Sequence, residues 1–195
     1  MTPAPERDLV SKTLADAIAA HETVRRGSVQ PVVDAAAAIV EALNRGGKVL
    51  LFGNGGSAAD AQHVAAELVG RFERVRRPFA AIALSADTSV LTAISNDEGY
   101  ERVFTRQIEA LGRDGDVVVA ITTSGRSPNV VHALEAAGRR GLRAIGVTGR
   151  DGGRVAGLVD IHVNVPSDST ARVQEVQRTL LHAMCDLVER AFVEK

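Results

Sequence analysis

Two rhythms of apolar and polar residues divide the chain near residue 47. Before it, Leu9, Leu14, Ile18 and Val24 recur among Ala, Lys and Glu at roughly helical spacing. Gly27 and Pro31 interrupt that helix, and a second, residues 32–44, is nearly all Ala, Val, Ile and Leu until Gly46-Gly47 ends it. Residues 33–40 are too apolar for a face meeting water. They are expected to pack on both sides, within the domain or against another subunit. From Lys48 onward short apolar runs take over, at 49–52, 79–84, 117–121, 144–147 and 161–165. Each reads as a strand buried on both faces. Helical segments separate them: 57–69, 88–95 with 100–111, 128–139 and a short one near 153–158. Residues 169–192 read as a long closing helix, with Ser169 or Thr170 at its cap.

Alternating strand and helix predicts an α/β fold, a doubly wound five-stranded parallel sheet with helices on both faces and an N-terminal helical extension. With 195 residues and no linker, repeat or low-complexity tract, one domain over 1–195 is expected, with helices at 1–46 and the α/β core and closing helix at 47–195. The formal net charge of −1 gives no basic excess to suggest nucleic acid. No apolar run approaches the ~20 residues that cross a bilayer. The first eight residues lack the apolar core of a signal peptide, so a cytoplasmic location is expected. Cys185 is the sole cysteine, which excludes an intrachain disulfide, and its neighbours Leu181, Met184 and Leu187 read as helix core.

Sheets of this kind bind ligands beyond the carboxyl ends of their strands. The first loop there is Gly53-Asn54-Gly55-Gly56-Ser57, where a strand runs through glycines into a helix. Glycines let the backbone approach an anion, and the new helix offers unpaired N–H groups. Ser57 can cap that helix or bond a ligand oxygen. Alone, the loop is equally a tight turn with a serine cap. The second loop, Thr122-Thr123-Ser124-Gly125-Arg126-Ser127, places four more hydroxyls around a glycine, and Pro128 follows at a position suited to a first helical turn. Hydroxyls and backbone N–H groups together hold phosphate without a lysine. Two such loops in one sheet favour a phosphate-binding protein over two plain turns. A third loop, Ser95-Asn96-Asp97-Glu98-Gly99-Tyr100, is generic by itself.

The ordered set of motifs resembles the sugar isomerase (SIS) family, and within it the phosphoheptose isomerases. It comprises both loops, Asp60-Ala61-Gln62-His63, Ser95-Asn96-Asp97, Thr148-Gly149-Arg150-Asp151-Gly152-Gly153 and Arg172-Val173-Gln174-Glu175. The resemblance covers almost the whole chain. It implies a cytoplasmic homotetramer that converts sedoheptulose 7-phosphate to glycero-manno-heptose 7-phosphate, the first step towards activated heptose. It implies that Asn54, Gly55, Gly56 and Ser57 line the substrate site with Asn96 and Asp97, and that Thr122, Thr123, Ser124 and Ser127 hold the phosphate. It also implies one zinc per subunit on His63, Glu67, Gln174 and His182, with Glu67 and His182 as the acid–base pair and Glu67 and Gln174 facing substrate. Two departures stand out. Arg126 replaces an asparagine usual in the second loop, and either adds positive charge near the phosphate or points to water. Gln177 stands where many relatives carry histidine.

His63 and Glu67 are four apart on one predicted helix and so share a face. Unaided, that is an ordinary surface pair, and His182 in its apolar helix is an ordinary core histidine; the resemblance turns both readings. Aldose–ketose isomerisation needs a carboxylate to move a carbon-bound proton and a second group to move one between oxygens. Gln174 and His182 lie ~12 Å apart along a continuous helix and roughly 80° apart around it. A neighbouring chain is therefore expected to help complete the site. Two rivals remain at this point. One is an adaptor of the same fold that binds the replication initiator DnaA, similar at Leu91-Thr92-Ala93-Ile94 but lacking equivalents of Glu67 and His182. The other is an isomerase or sensor for another sugar phosphate.

Overall fold

The structure, a computed structural model, describes residues 5–27 and 29–193. Two helices, α1 (Pro5–Arg26) and α2 (Gln30–Asn44), precede β1 (Val49–Gly53), α3 (Gly56–Val69) and β2 (Ala81–Ala83). Then come α4 (Thr88–Glu98), a 3-10 turn Tyr100–Arg102, α5 (Val103–Leu111), β3 (Val117–Ile121), α6 (Pro128–Arg139) and β4 (Arg143–Gly149). A second 3-10 turn, Val155–Gly157, leads to β5 (Ile161–Val165) and α7 (Thr170–Val193). All strands are parallel, in the order β2-β1-β3-β4-β5.

The continuous apolar runs become the central strands because both faces need cover. Val49, Leu51, Val117, Val119, Ile145 and Val147 point to one face, where α2, α3 and α7 supply Ile39, Leu43, Val64, Leu68, Leu181 and Val188. The alternate residues Leu50, Phe52, Val118 and Ala120 meet Phe104, Ile108, Val130 and Leu134 of α5 and α6. This period of two is the pleat of the strand. Each large side chain so buried contributes roughly 1.5–3 kcal/mol.

The edges depart from the sequence reading. All five apolar runs form strands, but β2 shrinks to three residues and is half exposed, because it has one neighbour and an uncovered side. Phe79 and Leu84, expected within it, stay buried beyond its ends. The other edge strand, β5, alternates instead of being buried throughout: Ile161, Val163 and Val165 face inward, while His162 and Asn164 are half-buried. Helix α2 covers the sheet with Ala35, Ala36, Ala38 and Ile39, but its outer side is bare. Val33, Ala37 and Val40 there line an open groove with Leu187 and Ala191 of α7. On α1 only Val24 is buried, and Leu9, Val10, Leu14 and Ile18 are all exposed. Among the described residues no helix is long and apolar enough to cross a membrane.

The connection after α3 is fastened by two buried charges. Arg76 donates to the carbonyls of Glu67 (2.6 Å), Leu68 (2.8 Å) and Gly70 (2.9 Å), the open carbonyl end of α3. Its guanidinium pairs with Glu189 of α7 at 3.1 Å, both side chains being nearly inaccessible. The Glu189 carboxylate also accepts the backbone N–H groups of Phe72, Glu73 and Arg74 at 2.7–2.9 Å. The C-terminal half of α3 is thereby tied to α7.

Candidate active site

Strand order reverses between β1 and β3. From β1 the chain winds outward through α3 to β2, then returns through α4 and α5 to β3 on the other side. The loops leaving these two neighbouring strands therefore part around a crevice. They are the two loops singled out from the sequence.

In the first loop Gly55 takes φ +56° and forms the N-cap of α3 without a side-chain cap. Ser57 is buried in the first turn and does not cap the helix, contrary to one of its two sequence readings. Gln174 of α7 lies directly on Gly56, where any side chain would collide with its amide. Asn54 reaches across the crevice to Asn129 of α6, with Nδ2 donating to Oδ1 at 2.9 Å.

The second loop folds on its own hydroxyls. Thr122 Oγ1 accepts the N–H of Gly125 at 3.2 Å, and Ser124 Oγ accepts that of Arg126 at 3.2 Å. Gly125 (φ +63°) must be glycine because the Gly152 carbonyl occupies the place of a Cβ. Ser127 is the N-cap of α6 but makes no side-chain cap, so its half-buried hydroxyl is not committed to the helix. Arg126 is exposed to water, as one of its two sequence readings had it, and its charge is paired: Nη2 donates to Asp151 Oδ2 at 2.6 Å. That bond, and next the Gly153 N–H, hold the Asp151 carboxyl below its ordinary range.

Helices α3 and α7 deliver the proposed chemistry. His63 Nε2 lies 2.7 Å from His182 Nε2 and 3.5 Å from Glu67 Oε1. One chain thus brings these three groups together by packing α3 against α7. Burial first, then the nearby His63 and Arg178, push the His182 pKa down and favour neutral imidazole. Arg178 in turn contacts the buried Asp60 of α3. Gln174, Arg178 and His182 line an open cavity of about 660 Å³ with Gly56, Asp60 and His21 of α1. Cys185, buried behind them, has its thiol pushed up to about 12 and is inert at neutral pH.

Asn96 and Asp97 do not join this group. The segment expected as a third loop is the last turn of α4, ended by Gly99 at φ +89°, and the exposed Asn96 donates to Asp97. From the same segment it is Tyr100 that reaches the crevice, donating from its hydroxyl to Asn54 Oδ1 at 3.2 Å. Sequence reasoning missed Asn129, although an asparagine directly after the helix-opening Pro128 signals a polar first turn at the site. It also gave Gln177 no role. That side chain is wholly buried and donates to the carbonyls of Thr122 (3.3 Å) and Val147 (3.2 Å), tying α7 to the ends of β3 and β4.

Two imidazole nitrogens and a carboxylate one turn away, with the Gln174 amide in the cavity that His182 also lines, are donors whose chemistry suits zinc. The 2.7 Å between the imidazoles is a hydrogen-bond spacing. Two nitrogens on one tetrahedral ion stand ~3.3 Å apart, so a small separation of α3 from α7 at this point would be needed. Among the described residues no three His, Cys, Asp or Glu side chains are closed into ligating geometry.

Fold and site together define a sugar-phosphate-type module: the chain belongs to the SIS domain family, whose model matches residues 14–149. Within that family its similarity is to phosphoheptose isomerases along the whole length. It is 51% identical over 192 residues to phosphoheptose isomerase from Roseiflexus sp. (strain RS-1), covering 96% of this chain and 98% of that one. The solved phosphoheptose isomerase from Neisseria gonorrhoeae is 47% identical with TM-score 0.89, covering 94% and 98%. That from Francisella tularensis is 35% identical with TM-score 0.92, covering 96% and 100%.

Proposed function

We propose that this protein is an aldose–ketose isomerase that converts sedoheptulose 7-phosphate to D-glycero-D-manno-heptose 7-phosphate, the first step of activated-heptose synthesis. The observation that carries this reading is the meeting of Glu67, His63 and His182 where α3 packs on α7, in a sheet whose reversal of strand order is flanked by the glycine-rich and hydroxyl-rich loops. Full-length similarity to phosphoheptose isomerases supports it.

The phosphate sits on the second loop, held by Thr122, Thr123, Ser124 and Ser127 with the N-terminal amides of α6. Asn54 to Ser57 flank the sugar. Glu67 takes a proton from C1 of the open-chain ketose and leaves an enediol. It then returns the proton to C2. His182, kept neutral, moves the second proton from O1 to O2, so that only positions change and no atom is gained or lost. Zinc, one per subunit on His63, Glu67, Gln174 and His182, would supply polarisation of the carbonyl oxygen.

The protein works in the cytoplasm as a homotetramer. The support is the bare apolar side of α1 and the groove between α2 and α7, surfaces that other copies would cover. The test is turnover of sedoheptulose 7-phosphate by the purified protein, with and without chelator, beside Glu67→Gln. We expect turnover by the native protein, loss on chelation, and a variant that still binds the sugar phosphate in calorimetry but does not turn it over. No turnover by native, zinc-replete protein would refute the function. Near-native turnover by Glu67→Gln would refute the base.

A further inference from the structure

Asn54 and Asn129 are bound to each other in both directions. Asn54 Nδ2 donates to Asn129 Oδ1, and Asn129 Nδ2 donates to Asn54 Oδ1, each at 2.9 Å. The Tyr100 hydroxyl adds a third bond to Asn54 Oδ1. An amide oxygen offers two lone pairs, so the acceptor capacity of Asn54 is full. Asn129 is nearly inaccessible, at 3% exposure, and is poorly placed to touch a ligand. These three residues come from three different connections: the glycine loop after β1, the 3-10 turn after α4 and the first turn of α6. They span the crevice at the one place where neighbouring loops diverge.

We infer that Asn54, Asn129 and Tyr100 form a clamp that fixes the separation between the phosphate anchor and the proton-transfer groups. The inference rests on the proposed isomerase reading. Downstream of Asn54 runs α3, which carries His63 and Glu67; immediately upstream of Asn129 lies the loop taken to hold phosphate. In a seven-carbon ketose phosphate the reacting carbons and the phosphate are at opposite ends. The distance between the two loops therefore acts as a ruler for chain length. In this arrangement Asn54 is a positioning residue, and its side chain serves the substrate by holding Asn129.

Asn129→Ala is the first test. A misplacement of the reacting group by ~1 Å costs about a hundredfold in rate. We expect kcat to fall about 10- to 100-fold while KM and the calorimetric affinity for sedoheptulose 7-phosphate change less than about threefold. The relative rate with a six-carbon ketose phosphate should rise at the same time. Tyr100→Phe leaves the amide pair and, being at the surface, keeps the fold; kcat should fall about two- to threefold at unchanged KM. Raised KM at native kcat in either Asn129→Ala or Tyr100→Phe would overturn the clamp, as would unchanged kinetics in both. Backbone hydrogen exchange separates this result from failure of the isomerase reading. Cutting Asn129 should speed exchange at residues 54–57, and Asn54→Ala should speed it at 122–129, whatever the substrate. Exchange confined to the mutated loop would overturn the clamp even in a protein that never turned over a heptose.

Discussion

Ser127 occupies the N-cap of α6 without using its hydroxyl there. An N-cap serine ordinarily contributes about 1 kcal/mol to stability, lost on substitution by alanine. Here Ser127→Ala should leave the thermal midpoint unchanged, since no cap is broken. It should instead weaken sugar-phosphate binding about ten- to a hundredfold, the loss of one bond to a charged group of roughly 1.5–3 kcal/mol. A lowered midpoint with native affinity would place the phosphate elsewhere. At this scale the sequence was informative where a residue acts through its nearest neighbours, as in the glycine and hydroxyl loops. It was silent where the partner is remote. Arg126 finds Asp151, twenty-five positions on, and Asn54 finds Asn129, seventy-five on. Neither bond leaves a mark in the local pattern.

At the scale of elements, the end of α3 depends on a charge carried by α7. Burial alone would raise the pKa of Glu189, but three backbone N–H groups and Arg76 outweigh it and hold the carboxyl below its ordinary value of 4.5. Its stabilising contribution is therefore complete above that ordinary value and is lost as pH falls through the depressed one. Glu189→Ala strands Arg76 inside and should cost about 3–5 kcal/mol at pH 7. In denaturant titrations the gap from the native protein should shrink on going from pH 7 to a pH below that depressed value, where the native carboxyl is protonated as well. A gap of equal size at both pH values would assign the loss to packing alone. The apolar runs made the central strands legible because their burial on two faces writes an unbroken hydrophobic signature. The edges were read less well. A strand with one neighbour needs less cover, so β2 shortens and β5 admits His162 and Asn164. Likewise the polar Asn96-Asp97-Glu98 resembled a loop because the outer turn of an exposed helix has no apolar residue to display.

For the whole molecule, the packing of α3 on α7 gives each chain its own cluster of His63, Glu67 and His182, the proton-transfer groups of the proposed function. Glu67→Gln chains mixed with His182→Ala chains should therefore recover no activity, even with subunit exchange proven by tagged copies. Partial recovery would show that the working site takes Glu67 from one chain and His182 from another. In the proposed homotetramer, other copies would cover Leu9, Leu14 and Ile18 on α1 and close the open side of the cavity against which α1 already lies.

His63 and His182 stand 119 positions apart, and α7 follows every strand of the sheet in sequence. Ribosomes release a chain from its amino end. Both phosphate-type loops and the whole parallel sheet thus leave the exit tunnel before the helix bearing Gln174 and His182. A nascent chain at that stage carries the proposed phosphate loops and Glu67 but lacks Gln174 and His182. The docking of one helix completes the proposed site and also brings Glu189 to latch the end of α3. On the proposed reading, synthesis therefore delivers the last of the proton-transfer groups at its end, and a chain stalled before α7 is expected to show no turnover.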